Sequence, residues 1–581
     1  MGLLLSTGQR NLYYKEEKIV SGDLSNPDIM EKAHEGHVLV LPYPSQGHIN
    51  PLLQFAKRLA SKGLKATVAT THYTLSSIST PYITVEAISD GFDDSGFTQA
   101  QSAEVFLESF KSHGSRTLTQ LIKKHQTTKY PITCVVYDSF FPWALDVAKE
   151  NGILGAPFFT NSATVSAIFS RIHGGTLRLP VRLEDCPVVL PGVPPLYLED
   201  LPSFLNAPES YPAYLKMKLN QFSNLEKADW IFCNSFQSLE PESDNMSKAS
   251  PNKPRCRYNE MRYETESVIK GIGEQWSAKL IGPMVPSSYL DGRIVGDKGY
   301  GASLWKPLEH QCTKWLETKP QNSVVYVSFG SMVSLSQEEM EEISWGLQQS
   351  GFNFLWVVKE SETHKLPKGF LELTTKSQEK GMIVNWCNQL ELLAHDSVGC
   401  FVTHCGWNST LEGLSLGVPM IGVPKWADQL TGAKFIKDVW CVGMRVKVDA
   451  EIGIVGREEL VSCLNEVMNV GEKSLQIKKN AKKWRELAKE AISEGGSSDK
   501  AIDDSLDVTI QHCGTFDQKH ASIERLSSII HKIRAVDDKF GKLQVGGMLL
   551  MCFFYPGDVM RPRLGRGVKQ GCSCEKGNGT T

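Results

Sequence analysis

The sequence lacks the features that tie a protein to a membrane or to nucleic acid. No apolar run approaches the ~18 residues of a membrane span, and the nearest, residues 548–555, is far too short. The formal net charge is only −3, so no global field attracts nucleic acid or anionic lipid. The fourteen cysteines form no framework, and several, such as Cys134, Cys233 and Cys400, lie in apolar strand-like runs typical of reduced core thiols. We expect a cytoplasmic globular protein with no nucleic-acid partner and no integral membrane association.

Two nucleotide-binding signatures are also missing. A dinucleotide-binding loop needs Gly-x-Gly-x-x-Gly after a strand, and the nearest stretch, GIGEQW at residues 271–276, lacks the third glycine and follows a helical pattern. A P-loop ends in Gly-Lys-Ser or Gly-Lys-Thr, and GVPMIGVPK at residues 417–425 does not. These absences argue against a nicotinamide-dependent oxidoreductase.

The sequence does contain two series of alternating strand and helix patterns. The first opens with the strand HVLVLPYP, passes through a loop with His48, and enters a predicted helix from Pro51 to about Ser61. The second opens with SVVYVSF, and Ser336 with Glu339 predicts a capping box at its first helix. This alternation predicts an α/β fold with two doubly wound domains, whose strand ends face a shared cleft.

The most informative segment is Trp386–Gln429. Its apolar strand VGCFVTH breaks at CGWNS into a helical pattern, which puts polar side chains beside free backbone N–H groups and the positive end of a helix. These side chains are His404, Asn408 and Ser409. Glu412 lies one turn further on and suits paired sugar hydroxyls, while Trp386 offers a flat face to a base. The segment therefore predicts a site for a nucleotide diphosphate sugar, held without a metal ion.

This segment resembles the signature box of plant family-one UDP-glycosyltransferases, from its first tryptophan to its last glutamine. The resemblance implies the GT-B arrangement of two Rossmann-like domains facing a cleft, with UDP-glucose as the donor substrate. A final glutamine is typical of glucose preference, whereas a histidine there is associated with galactose. The implied contacts are Trp386 and Gln389 to uracil, His404, Asn408, Ser409 and Ser331 to the phosphates, Glu412 to the ribose, and Trp407, Asp428, Gln429 and Thr160 to the hexose.

Two further segments match the catalytic pair of that family. PSQGHINPLLQFAKRLASKG contains His48, and CVVYDSFFPWA contains Asp138. Both residues follow strands of the first predicted sheet, so both should reach its cleft. An imidazole can take a proton from an acceptor hydroxyl, while a carboxylate on its other nitrogen fixes the tautomer. The resemblance implies that His48 is the general base and Asp138 its partner in an inverting transfer that gives a β-glucoside.

The resemblance also suggests how the chain divides. Its parts are an N-terminal extension at 1–35, expected to be disordered, an acceptor-binding Rossmann-like domain at 36–285 with a polar insertion at 243–267, a UDP-sugar-binding Rossmann-like domain at 286–497, a helix at 498–512 that returns to the first domain, and an atypical tail at 513–581. The extension, insertion and tail have the composition of loops or disorder. A regulatory or targeting role and a splice form or gene-model extension are both open for the two ends.

The acceptor should bind to the first domain. Residues 90–98 and 198–215 supply aromatic and apolar side chains for a hydrophobic pocket. The sequences of these segments resemble those in the branch of the family that glucosylates small carboxylic acids, phenolics or thiohydroximates. We therefore expect UDP-glucose and a small hydrophobic acceptor as partners of a monomer that uses no cofactor.

Two rival interpretations concern the same segment. Zinc could be bound through His395, Cys400, His404 and Cys405, but neighbours on a strand face opposite ways. A catalytically impaired UDP-sugar-binding protein or an inactive splice form would keep the nucleotide segment and would not need His48 and Asp138. The chain has no Asp-X-Asp triplet, the divalent-ion motif of the other major glycosyltransferase fold, so we expect no metal.

Overall fold

The computed structural model describes residues 36–190, 193–239, 278–304, 309–376, 380–449, 451 and 453–506. The expectations for segments 1–35, 243–267 and 513–581 fall outside these described residues. Within the described residues, none of the helices is both long enough and apolar enough to cross a bilayer.

The first half of the described chain is built on a parallel seven-stranded sheet in the order β3-β2-β1-β4-β5-β6-β7. All of β1 is buried, because helices cover both faces of the sheet. Val38 and Val40 pack into one core cluster, and Leu39 and Leu41 into another on the opposite face. The strands are His37–Leu41 (β1), Lys65–Thr71 (β2), Thr84–Ile88 (β3), Cys134–Asp138 (β4), Leu154–Phe159 (β5), Ile231–Cys233 (β6) and Ala278–Leu280 (β7).

The helices of this half follow the strands in alternation. They are Gln46–Ser61 (α1), His72–Leu75 (α2), Ala103–Gln126 (α3), Pro142–Glu150 (α4), Ala163–His173 (α5) and Pro212–Asn220 (α6).

The prediction that α1 starts at Pro51, with His48 in a loop before it, was wrong. The helix begins at Gln46 after the N-cap Ser45, and His48 lies in its first turn. Proline is favoured at the first helical position, which is why the pattern places the start there, but Pro51 lies inside the helix. Because proline has no N–H, it cannot bond to the carbonyl four residues back, which is that of Gly47.

The second half is built on a parallel six-stranded sheet in the order β10-β9-β8-β11-β12-β13. The predicted capping box is confirmed: Glu339 N–H donates to Ser336 Oγ, and Ser336 N–H donates to the Glu339 carboxylate. The strands are Val324–Ser328 (β8), Asn353–Val357 (β9), Gly381–Val384 (β10), Val398–Thr403 (β11), Met420–Gly422 (β12) and Gly443–Arg445 (β13).

The helices of the second half again alternate with the strands. They are Glu309–Glu317 (α7), Gln337–Ser350 (α8), Phe370–Lys376 (α9), Gln389–Leu393 (α10), Trp407–Leu416 (α11), Gln429–Lys434 (α12), Arg457–Met468 (α13) and Glu472–Ile492 (α14). A π-helical turn, Phe435–Val439, continues α12.

The two strand orders confirm the predicted α/β class with two doubly wound sheets. In each sheet the order of strand addition reverses, between β1 and β4 in the first and between β8 and β11 in the second. Ligands of doubly wound folds bind beyond the carboxyl ends of the strands at such a reversal. His48 follows β1 and Asp138 ends β4, while Ser331 follows β8 and His404 follows β11. The predicted residues therefore lie at both reversal points.

Helical residues 497–506 lie against the first half of the chain. Ser498 Oγ donates to the Gly282 carbonyl at 2.6 Å. The Asp499 carboxylate lies 2.7 Å from Nζ of Lys62, the residue after α1, and 2.7 Å from an Arg293 guanidinium nitrogen. The chain therefore runs from the second sheet back to the helix that carries His48.

A buried ion pair ties α1 to the segment between the two sheets. Lys57 Nζ lies 2.7 Å from Asp297 Oδ1, and at most 1% of either side chain is exposed. Gln54 Nε2 and the Ser287 N–H both donate to Asp297 Oδ2 at 2.7 Å. Each carboxylate oxygen thus has a donor, which is what a buried charge requires.

Candidate active site

A cavity of about 570 Å³ lies where the carboxyl ends of the two sheets meet. Every residue predicted to bind the UDP-sugar lines it, and His48 lines it too. Asp138 is fully buried behind His48. The structure thus brings the predicted donor residues and the predicted base into one cleft.

The His48 imidazole is held by a carboxylate and two aromatic rings. Its Nδ1 lies 2.6 Å from Asp138 Oδ2, and Thr160 Oγ1 is 3.1 Å from the same nitrogen. The rings of Phe140 and Tyr43 lie 4.8 Å and 5.4 Å from the imidazole, centroid to centroid. Because an ionised carboxylate only accepts hydrogen bonds, Nδ1 carries the proton and Nε2 keeps its lone pair. That nitrogen is the one left to accept a proton from a molecule in the cleft.

The first turn of α1 also contacts the second half of the protein. Asn408 Nδ2 donates to the Gly47 carbonyl at 2.5 Å. This carbonyl is the one that Pro51 leaves without a helical donor. The amide of the predicted phosphate site therefore completes the hydrogen bonding of the helix that carries His48.

The turn between β11 and α11 is shaped around His404. A Cβ atom added at Gly330 or Gly406 would come within 2.7 Å or 2.5 Å of the imidazole, so only glycine fits at either position. Burial lowers the pKa of His404 to about 4, and within the described residues its Nδ1 has no hydrogen-bond partner. His404 is therefore neutral at pH 7. Beside it, the first backbone N–H groups of α11 have no partner within the helix.

Glu412 on α11 accepts two hydrogen bonds at the back of the cavity. Tyr300 O–H donates to Oε1 at 2.8 Å, and Gln389 Nε2 donates to Oε2 at 2.6 Å. Burial raises the pKa of Glu412 to about 7, although both donors favour its ionised form. The carboxylate predicted to hold the ribose is thus fixed in place before any ligand binds.

The remaining predicted residues surround these groups. Trp386 and Ser331 are half-buried in the cavity wall. The Gln429 Oε1 accepts from the backbone N–H groups of Lys425 and Trp426, and the residue lines the cavity. Asp428 is half-buried beside it.

Trp407 differs from the other predicted hexose contacts. Its ring is 7% exposed, and its indole N–H donates to the Asn234 carbonyl of the first half at 2.7 Å. That N–H is therefore already used, and the contact of Trp407 with the hexose stays a prediction.

Tyr300 and Lys218 are two polar cavity residues that sequence reasoning missed. Tyr300 comes from the segment between the sheets, which has no strand or helix pattern to point to a site. Lys218 comes from α6, whose amphipathic pattern is weak. Both line the cavity. A buried carboxylate such as Glu412 needs hydrogen-bond donors, and this need was the only signal for Tyr300 in the sequence. It does not indicate where in the chain the donor lies.

The zinc interpretation finds no support in the described part of the chain. There, no group of three or more His, Cys, Asp or Glu side chains could hold a metal ion. The Cys405 thiol instead contacts the carbonyl of Thr403.

The sequence is similar to a large family of plant enzymes. Residues 281–490 match the family model described as UDP-glucoronosyl and UDP-glucosyl transferase. The chain is 49% identical to UDP-glycosyltransferase 74B1 of Arabidopsis thaliana over 479 residues, which is 81% of this chain and 97% of that relative. It is 47% identical to flavonol 7-O-beta-glucosyltransferase UGT74F1 of the same plant, over 82% of this chain and 98% of that relative.

The fold is also that of a solved relative. Os79 from O. sativa, crystallised in complex with UDP, superposes with a TM-score of 0.73 and is 38% identical, over 82% of this chain and all of that one. This likeness confirms the predicted GT-B arrangement.

Proposed function

The chain belongs to the family of UDP-glycosyltransferases, and from that premise we propose that it transfers glucose from UDP-glucose to a hydroxyl or carboxylate of a small plant metabolite. The product would be a β-glucoside or a glucose ester. The observation that carries this proposal is the His48–Asp138 pair, which opens on the same cavity as the residues predicted to bind UDP-glucose.

In the proposed reaction, His48 Nε2 takes the proton of an acceptor hydroxyl while the acceptor oxygen attacks C1 of the glucose. The new C1–O bond forms on the face opposite UDP, so the configuration at C1 inverts. The bond from C1 to the diphosphate oxygen breaks, and its electron pair leaves with UDP. Asp138 stabilises the imidazolium that results, because its carboxylate lies 2.6 Å from Nδ1.

The leaving group needs stabilisation as charge develops on its phosphate oxygens. The backbone N–H groups at the start of α11, with Asn408 and Ser409, supply fixed donors at that point. A neutral His404 can add an N–H donor there, since its low pKa keeps it uncharged. We propose that these groups suffice, so that the reaction needs no metal ion and no cofactor.

We also propose the finer assignments. UDP-glucose would lie with its uracil on Trp386 and Gln389, its diphosphate on His404, Asn408, Ser409 and Ser331, its ribose on Glu412, and its glucose near Thr160, Trp407, Asp428 and Gln429. The acceptor would occupy the His48 side of the cavity. A cytoplasmic monomer is the form that we propose.

Replacing the base tests this mechanism. We expect His48→Ala to lower kcat about 10²- to 10⁴-fold with a phenolic acceptor, because proton transfer is lost. Asp138→Asn should lower kcat about 10-fold or more, since an amide does not hold the required tautomer. The measurement is UDP release from UDP-glucose in the presence of EDTA, across flavonols, simple phenols and aromatic acids.

Exposed His364 offers the matched control, and His364→Ala should keep the wild-type rate. Full activity of His48→Ala with a hydroxyl acceptor would contradict the assignment, and a rate abolished by EDTA would contradict the metal-free mechanism. If UDP-glucose raises the melting temperature but no acceptor turns over, the impaired UDP-sugar-binding protein is the better description.

A further inference from the structure

Lys218 presents a positive charge to the acceptor side of the cavity. Lys218 lies on α6 and lines the same cleft as His48. Its ammonium lies 4.6 Å from the centre of the Phe140 ring. Among the described residues this ring contact is its only close polar interaction, because the ammonium makes no hydrogen bond and no ion pair there. Its three N–H donors are therefore open to a molecule in the cleft.

The surroundings of this ammonium disfavour an unpaired charge. Burial lowers the pKa of Lys218, while Asp428 and Asp138 act in the opposite direction from a distance. Among the described residues neither carboxylate forms an ion pair with Lys218, and Asp138 instead accepts from the Phe140 N–H and lies against His48 Nδ1. A half-buried cation without a hydrogen-bonded partner gains from an anion that brings its own acceptor oxygens.

The buried Phe140 ring contacts both Lys218 and His48. The Lys218 ammonium lies 4.6 Å from the centre of this ring, and the His48 imidazole lies 4.8 Å from it, centroid to centroid. Lys218 and His48 thus contact the same ring and both line the cavity, so one molecule in the cavity can reach both the cation and the base. An aromatic ring with one anionic substituent has the size and the chemistry for this position.

We propose that Lys218 selects acceptors that carry a carboxylate, by binding that carboxylate while the acceptor lies in the cavity beside His48. This inference rests on the proposed glucosyl transfer and narrows its acceptor to small aromatic anions. Lys218 acts as a specificity-determining residue and takes no part in proton transfer.

A matched pair of acceptors tests the proposal. The probes are 4-hydroxybenzoate and 4-hydroxybenzamide, which share a phenol and differ in the charge of one substituent. We expect Lys218→Met to lower kcat/KM for the benzoate about 10- to 100-fold, the loss typical of a hydrogen bond to a charged group. The benzamide should change less than about 3-fold, and Lys218→Arg should restore most of the benzoate rate.

Lys216→Met is the control variant, because it removes the same charge from an exposed position of the same helix. It should leave both acceptors at wild-type rates. An equal loss for both acceptors in Lys218→Met would overturn the proposal, since it would mean that Lys218 supports Asp138 or the donor site. Equal rates for the two acceptors in the wild type would overturn it as well.

Binding separates this inference from the proposed function. Saturation-transfer NMR of 4-hydroxybenzoate on the UDP-loaded protein reports on the acceptor position even if no glucose is transferred. Binding that Lys218→Met weakens at least about 10-fold supports the role of Lys218 whether or not turnover occurs. Binding of equal strength in the variant, or no binding to the wild type, excludes it.

Discussion

At the scale of single residues, the charge of Glu412 conflicts with its buried surroundings. Its side chain is 4% exposed, and Tyr300 and Gln389 donate to its two oxygens. Burial nevertheless raises its pKa from 4.5 to about 7. The same carboxylate is proposed to bind ribose hydroxyls, which donate to its ionised form. The site therefore keeps a group whose ionisation weakens the fold of the empty protein.

The pH dependence of stability follows from this shift. Between about pH 4.5 and 7 the folded protein keeps the Glu412 proton and the unfolded chain releases it, so stability from this group falls as the pH rises. We expect wild type to lose about 1 to 3 kcal/mol across this window relative to Glu412→Gln. The measurement is urea unfolding of both proteins without UDP at pH 4.5 and pH 7.5.

The control for this comparison is Glu341→Gln, which removes a carboxylate from an exposed position of α8. Its unfolding free energy should follow that of wild type across the same window. Parallel curves for wild type and Glu412→Gln would contradict the prediction.

At the scale of elements, the turn from β11 to α11 and the helix that follows it carry five of the predicted donor residues: His404, Trp407, Asn408, Ser409 and Glu412. The sequence predicted this turn well, because an apolar strand followed by polar residues and a helical pattern is compatible with few conformations other than a strand-turn-helix unit. It predicted α1 less well. The first turn of that helix includes a hydrogen bond from Asn408 to the Gly47 carbonyl, and no local pattern predicts a contact across 361 positions. Tyr300 and Lys218 were missed for the same reason, since each reaches the site through the fold.

Gly406 provides a test of the turn that leaves its backbone unstrained. Its φ of −60° suits any residue, so the only cost of alanine there is the contact of Cβ with His404 at 2.5 Å. We expect Gly406→Ala to weaken UDP binding about 10-fold or more, because an overpacked group displaces the imidazole. Calorimetric titration with UDP measures this change.

Gly471→Ala is the matched change, since φ is −163° and nothing lies within 4 Å of an added Cβ. It should bind UDP like wild type. An unchanged affinity in Gly406→Ala would show that His404 has room to move and that its position is not critical.

At the scale of the whole molecule, the segment between the sheets is tied to α1 and to residues 497–506 by charge. Asp297 meets Lys57, and Arg293 and Lys62 meet Asp499. These contacts fix the helix that carries His48 relative to the chain that enters the second half. The alternating patterns of the sequence predicted both sheets. These ion pairs could not be predicted, because their residues follow no periodic pattern and join distant parts of the chain.

The buried pair should matter far more than exposed ones. Lys57→Met leaves Asp297 charged and buried with two neutral donors, so we expect a loss of about 3 to 5 kcal/mol in the free energy of unfolding. Lys473→Met breaks an exposed pair with Glu466 and should cost less than about 1 kcal/mol. Denaturant unfolding of the three proteins compares them, and equal losses in the two variants would refute the distinction.

Pro51 in α1 makes a hydrogen bond between the two halves of the protein part of the helix that carries His48. A complete helix would satisfy the Gly47 carbonyl by itself, whereas this one depends on the amide of Asn408. Separation of the halves would leave that carbonyl to water, and their approach would restore the last turn around His48. The first turn of the helix that carries His48 is therefore coupled to the contact between the two halves, so a ligand that competes for the Asn408 amide would also disturb that turn.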